Sequence, residues 1–440
     1  MKSLDKIPTS KISRASKLVS TGAKVGVNYL NYYKDKITKT EKEARHKLNE
    51  SNAEDIYDSL SNLKGSALKV AQMLSMEKSI MPQQYVEKFS LSQFSVPPLS
   101  APLVRKTFQT YFDKTPEEIF DQFTAESVNA ASIGQVHKAW KDGKELAVKI
   151  QYPGVAESIS TDLKMVKPIA MRMFNIKGKD SDKYFKEVEN KLLEETDYVL
   201  EVAQSREVAT ACAHIPNLKF PTYYPEWSSD RIITMDWMHG IHLSEFVAIN
   251  ENEELANRIG QALWDFYMYQ IHQLKKVHAD PHPGNFLISN DGDLIALDFG
   301  CMKMIPDNFY NPYFELVDPV ILHDNQKFQE KMEILEILKP EDTPEEREFF
   351  REMFQQMIAL FTKPLHFDTF DFSDENFFDE IYALGEKYSK DTKLRKMNGN
   401  RGSEHFIYMN RTFFGLYSLM HDLKSTRVKI QKFIPEKFIK

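Results

Sequence analysis

The stretch that most constrains this chain runs from His278 to Gly300 and reads HADPHPGNFLISNDGDLIALDFG. Asp280 precedes Asn285 by five residues. A short apolar run, Phe286-Leu287-Ile288, then meets the turn signal Asn290-Asp291-Gly292. A second run, Leu294 to Leu297, delivers Asp298-Phe299-Gly300. Two strands joined by a tight turn would hold Asp280, Asn285 and Asp298 at one edge of a sheet. Phosphoryl transfer needs such a set: one carboxylate near the acceptor, and an Asn and an Asp to hold magnesium against phosphates. A lone Asp-Phe-Gly is common by chance, whereas its combination with D-x4-N and a hairpin is not.

A nucleotide site of the protein-kinase type makes further demands, and upstream residues meet them. Asp142-Gly143 predicts a hairpin turn, and Leu146-Ala147-Val148-Lys149-Ile150 a strand with a Lys in its apolar run. A buried ammonium loses its water and needs a partner. In kinases this Lys contacts the phosphates and pairs with a Glu on the next long helix. The Glu-rich stretch 184–206 predicts that helix, with Glu194, Glu195 and Glu201 as candidate partners. Residues 231–240 predict a buried strand leaving into a hinge at Met235 to Met238, whose backbone would meet adenine. Residues 255–277 predict a helix leading into the loop at Asp280, from the spacing of Leu255, Ile259, Leu263, Phe266, Ile271 and Leu274.

Two features depart from an ordinary protein kinase. Where a loop G-x-G-x-x-G is expected, the chain reads Asn129-Ala130-Ala131-Ser132-Ile133-Gly134-Gln135-Val136-His137. Alanines restrict the backbone where glycines free it, which predicts a stiffer loop. Far upstream, Lys69 and Gln72 lie i,i+3 on one helical face within Leu68-Lys69-Val70-Ala71-Gln72.

Together these motifs resemble the UbiB family, also called the ABC1/AarF or ADCK atypical kinases, over residues 10–425. NAASIGQVH looks like its Ala-rich loop, LAVKIQYPGV its Lys strand, EETDYVLE its E-x-D segment and HADPHPGNF its catalytic loop. KVAQ resembles its K-x-G-Q signature, with Ala71 in place of Gly, and NRTFFGLYSLMHDL its C-terminal helical part. Asn129 replaces the first Ala of the loop. The resemblance implies that Lys149 binds phosphate and pairs with Glu201. It makes Asp280 the catalytic-loop acid, and Asn285 and Asp298 metal ligands. Ala130, Ala131, Ser132, Lys69, Gln72, Met235 and Met238 would line the nucleotide. Lys69 and Gln72 would also block a protein substrate, and Glu195 and Asp197 would form an extra acidic motif.

Composition bounds the rest. The chain has 440 residues, 42% of them hydrophobic, with 30 Phe and 19 Tyr, enough for a large globular core. Cys212 and Cys301 alone give no disulfide framework. No apolar segment reads as a secretory signal or a membrane span. Residues 1–40 carry net +7 and residues 424–440 net +5, which leaves −19 on the body out of a total of −7. An acidic body with basic ends is a poor nucleic-acid binder, but its ends would attract anionic lipid. Residues 11–31 mix Lys and Arg with small and apolar residues, as an interfacial helix does; a solvated capping helix is the plainer alternative.

The expected fold is α+β: a bilobal protein-kinase-like fold with an N-terminal helical extension packed over the active site. The extension is expected over 1–116, the N-lobe over 117–240 and the C-lobe, with family-specific helices, over 241–440. The expected ligands are ATP or ADP and Mg2+. The resemblance implies an ATPase supporting isoprenoid-quinone biosynthesis or membrane-lipid handling. A kinase acting on a small molecule or protein, and a nucleotide-binding pseudokinase scaffold, are the alternatives. Expected partners are the nucleotide, an anionic membrane and quinone-biosynthesis proteins, with no nucleic acid; a homodimer is compatible. The expected location is cytoplasmic, with peripheral membrane attachment.

Overall fold

The computed structural model describes residues 20, 24, 26–36, 39–63, 98–130, 133–173, 180–279, 281–389, 391, 394, 397 and 401–438. Lys69, Gln72, Ala131, Ser132 and Asp280 lie outside them, and with them the expected covering of the site by the extension. The chain divides into two compact units, Met1–Val202 with Thr222–Trp237 and Ala203–Pro221 with Met238–Lys440.

The first unit is built on a twisted antiparallel sheet. Strands β1 (Gln122–Phe123), β2 (Asn129–Ala130), β3 (Gly134–Lys141), β4 (Lys144–Gln151) and β5 (Ile232–Asp236) form it. β4 lies between β3 and β5, while β1 and β2 both pair with the outer side of β3. Asp142 and Gly143 take φ of 51° and 75°, as the predicted two-residue hairpin between β3 and β4 requires. Gly134 serves another purpose: a Cβ there would stand 2.5 Å from the Ile150 carbonyl oxygen. The core under this sheet joins Val148, Ile150, Ile232 and Ile233 to Phe108 of helix α2 (Ala101–Phe112). Helix α1 (Glu41–Leu63) adds Ala53 and Ile56 to it.

After β4 the chain enters helices α3 (Val155–Met173), α4 (Asp180–Glu195) and α5 (Tyr198–Cys212). The stretch 184–206 was expected as one helix, but the structure breaks it at Thr196-Asp197. The cause is tertiary. The Thr196 carbonyl accepts from Gln151 Nε2 at 3.0 Å and from Arg231 Nη1 at 2.9 Å. The Leu200 amide, which a continuous helix would send to that carbonyl, bonds instead to Asp197 Oδ1 at 2.9 Å. Asp197 is thereby the N-cap of α5.

The second unit is mostly helical around small sheets. Strands β6 (Ile241–His242), β8 (Phe286–Ile288) and β9 (Leu294–Ala296) pair in sequence, and β9 pairs in parallel with the two-residue strand Leu218–Lys219. Strands β7 (Lys276–His278) and β10 (Met302–Met304) form a separate antiparallel pair. Helix α6 (Glu253–Tyr269) starts at Asn252, whose Oδ1 accepts from the Leu255 amide at 3.1 Å. The expected helix over 255–277 ends early: a π-turn over Gln270–Leu274 follows α6, and Lys275 at φ 53° sends the chain into β7. Helices α7 (Pro344–Thr362), α8 (Glu375–Ser389) and α9 (Glu404–Asp422) complete a Phe-rich core with Trp264, Phe314 and Tyr417.

Candidate functional site

In the first unit the central residue is Lys149. It stands on the interior strand β4, opposite Val136 on one side and Ile233 on the other. Its flanking residues Val148 and Ile150 are fully buried, so the strand cannot turn Lys149 out into water. The compensation is Glu201 on the first turn of α5. Lys149 Nζ lies 2.7 Å from Glu201 Oε1, with the two side chains 12% and 5% exposed. The ammonium also sits 5.1 Å from the centre of the Tyr198 ring. Of the three candidate partners, Glu201 makes the contact; Glu194 and Glu195 end α4 half-buried.

The cross-strand row containing Lys149 runs Asn129, Val136, Lys149, Ile233. Directly opposed residues share a face of a sheet, which puts Asn129 on the face that carries Lys149. Behind β3 the opposite face holds Gln135 and His137, both fully buried. His137 Nδ1 lies 2.7 Å from the Thr124 carbonyl and so carries the proton. Its Nε2 then accepts from the Gln135 amide at 2.7 Å, and Gln135 Oε1 accepts from the Leu99 amide at 2.6 Å. Desolvation lowers the His137 pKa, which keeps this direction of bonding. The relay ties the chain at Leu99 to the strand that follows the Ala-rich loop. Two polar residues at i,i+2 flanking Val136 are the sequence signal of this relay; Tyr198, whose ring faces the Lys149 ammonium, is not singled out by the sequence.

Met235 is buried on β5 opposite Ala147, and the Trp237 amide donates to the Glu145 carbonyl at 2.9 Å. The first unit's last segment ends at Trp237 and the second unit resumes at Met238, where the sequence predicts a hinge.

In the second unit the hairpin after His278 is present. β8 and β9 pair with Phe286 opposite Ala296. One step further out, the Leu297 amide donates to the Asn285 carbonyl at 3.0 Å, which sets Asn285 beside the Leu297-Asp298 segment. The turn is held by Gly292 at φ 74° and by Arg258 of α6, whose guanidinium bonds the Asp291 and Gly292 carbonyls. Asp298 Oδ1 accepts from the Gly300 amide at 2.9 Å. On the other flank His282 Nδ1 accepts from Gly284 N at 3.0 Å, and the Asn285 amide bonds the His282 carbonyl at 3.0 Å. His282 is thereby engaged in shaping the loop. An amide and a carboxylate are hard oxygen donors that suit Mg2+, which takes few protein ligands and completes its shell with phosphate and water.

Residues 91–332 match the family model described as the ABC1 atypical kinase-like domain. A chloroplastic Activity of bc1 complex kinase 8 from Arabidopsis thaliana is 30% identical over 316 residues, covering 70% of this chain and 41% of that protein. The probable serine/threonine-protein kinase abkA of Dictyostelium discoideum is 26% identical, over 72% of this chain and 60% of its own length. This chain therefore spans only about half the length of these two relatives. The mitochondrial atypical kinase COQ8 of Saccharomyces cerevisiae is 28% identical over 85% of this chain and 75% of its own. Among solved structures, Rv3197 of Mycobacterium tuberculosis, in complex with erythromycin, superposes with a TM-score of 0.58 at 24% identity, covering 90% of this chain and 99% of that one. That likeness bears on the fold alone.

Proposed function

The chain belongs to the ABC1 atypical kinase-like family, and from that premise we propose that it is an MgATP-dependent enzyme of the ATPase type, acting in support of isoprenoid-quinone biosynthesis or membrane-lipid handling. The observation that carries the reading is the Lys149–Glu201 contact at 2.7 Å on an interior strand. A largely buried cation fixed on an interior strand by a carboxylate is suited to the phosphates of a nucleotide. Glu201 fixes its position.

In this reading Asn285 and Asp298 hold Mg2+, which neutralises charge on the phosphate oxygens when bound. Asp280 takes the proton of the attacking group. With water as that group, a new P–O bond forms as the bond to the ADP leaving oxygen breaks, giving ADP and inorganic phosphate. Ala130, Ala131 and Ser132 would cover the phosphates, and Met235 to Met238 would receive the base. Lys69 and Gln72 are assigned to restraining the site, and Glu195 and Asp197 to its acidic motif.

The proposed second partner is an anionic membrane. Helix 26–36 docks through Asn28, whose Nδ2 reaches Asn52 Oδ1 at 3.1 Å and Asp55 Oδ2 at 2.8 Å, and through buried Tyr32. Val27, Tyr29, Leu30 and Tyr33 remain exposed on its other side. Apolar and aromatic residues flanked by Lys suit the lipid–water interface. Among the described residues, no helix is long and apolar enough to cross a membrane.

The test is phosphate release from MgATP, with and without anionic liposomes and a phenolic quinone-precursor mimic. Turnover that rises with both supports the reading. Label transferred to the phenol or to a protein favours the kinase alternative, and nucleotide binding without turnover favours the scaffold.

A further inference from the structure

A glycine inside a helix costs about 0.5–1 kcal/mol relative to Ala, so Gly415 in the middle of α9 calls for a reason. A Cβ at Gly415 would stand 2.4 Å from Pro281 Cγ and 3.2 Å from the Pro281 carbonyl oxygen. The helix backbone thus rests directly on the residue that follows Asp280. Two turns earlier on the same face is Tyr408, buried in a cluster with Ala279 and Cys301. Ala279 is the residue that precedes Asp280, and its amide donates to the Cys301 carbonyl at 2.9 Å. Lys303 Nζ lies 5.1 Å from the Tyr408 ring centre and closes the cluster. Helix α9 therefore rests on the loop at Pro281, and through Tyr408 it joins one buried cluster with Ala279 and with Cys301, just beyond Asp298-Phe299-Gly300.

We propose that α9 is a positioning element of the active site, with Gly415 and Tyr408 setting the backbone on either side of Asp280. The proposal rests on the phosphoryl-transfer reading above. Neither residue touches substrate. Their effect passes through Pro281 and Ala279, and it falls on turnover more than on nucleotide affinity, because Lys149 and the hairpin are left in place.

The experiment compares Gly415→Ala, Pro281→Ala and their combination in the full chain. Gly415→Ala is expected to lower turnover about 10-fold or more, since displacement of a reacting group by about 1 Å costs up to 10²-fold. Its affinity for MgADP should stay within about 2-fold. In the Pro281→Ala background, where Cγ is gone, adding Gly415→Ala should change turnover about 2-fold or less. Gly385→Ala is the control: that helical glycine has nothing within 4 Å of its would-be Cβ, and turnover should be unchanged. Should Gly415→Ala fail to fold, Tyr408→Leu carries the test with the same split between turnover and affinity. Amide exchange across 276–281 supplies a readout independent of activity: it should rise in Gly415→Ala and return towards its starting level in the double variant. If the parent protein releases no phosphate, the functional reading falls while the exchange result still decides the positioning claim. Equal losses in both backgrounds, or unaltered turnover and exchange in Gly415→Ala, would overturn it.

Discussion

Lys149 Nζ and Glu201 Oε1 meet at 2.7 Å, joining the interior strand of the first unit to the opening turn of a helix more than fifty residues further along the chain. Removing one partner of a buried pair leaves the other charged in poor solvent and costs about 3–5 kcal/mol. Lys149→Met and Glu201→Leu should each destabilise strongly in urea titrations without nucleotide. The double variant should lose clearly less than the sum. Strict additivity would show that the two side chains act independently.

Asp298→Asn keeps an oxygen for the Gly300 amide, so the local turn should persist. The variant loses the charge that Mg2+ requires. In the parent protein, MgATP at 100 times its Kd should stabilise by about 2.7 kcal/mol. Thermal melts of Asp298→Asn should show that shift abolished with Mg2+ and ATP together, and a full shift would sink the metal-ligand assignment.

Acid should weaken the second unit through His272. Burial holds its imidazole down to about 3, helped by the Lys275 charge. An unfolded His titrates near 6.5. Below that value the unfolded chain takes up a proton that the folded one refuses. Stability is then lost as pH falls from about 6.5 towards 3, by about 1.4 kcal/mol per unit. His272→Phe forfeits the 2.7 Å bond to Tyr310 Oη but should show a shallower acid limb. Parallel pH profiles for parent and variant would contradict the assignment.

Binding to anionic vesicles should depend on both charge and the apolar side of helix 26–36. Leu30→Glu is expected to weaken sedimentation with anionic vesicles, as should raising the salt concentration. Asn28 and Tyr32 are untouched, so the melting temperature should hold. Equal sedimentation with neutral and anionic vesicles would remove the electrostatic part of the reading.

What could be read from the chain alone was what lies within a short span. The Asn285–Asp298 hairpin, the Asp142-Gly143 turn and the strand bearing Lys149 each carry their own local chemistry. The break at Thr196-Asp197 does not. No Gly or Pro marks it, and it arises because Gln151 and Arg231 take the Thr196 carbonyl from outside the helix. The π-turn after Tyr269 is likewise hidden, since Ile271 and Leu274 continue an apolar spacing that suits a helix. Nothing in the sequence around Gly415 signals its role, which depends on Pro281 lying against it from a distant loop. The Glu-rich stretch alone leaves three acids as partners for Lys149; the family resemblance points to Glu201, and the 2.7 Å contact is what separates it physically from Glu194 and Glu195.

One ion pair constrains how this sequence can drift. In the second unit Arg401 Nη1 reaches both carboxylate oxygens of Asp342, at 2.7 and 2.6 Å, with each side chain 3% exposed. The guanidinium lies 3.8 Å from the centre of the Phe350 ring. Losing either charge alone strands the other, whereas replacing both with apolar residues of similar volume is close to neutral. The two apolar and charged solutions are therefore separated by a valley that single substitutions cross only at a loss. Descendants of this chain should keep Arg401 and Asp342 together or exchange them together, and the two positions should vary in step even though 58 residues lie between them.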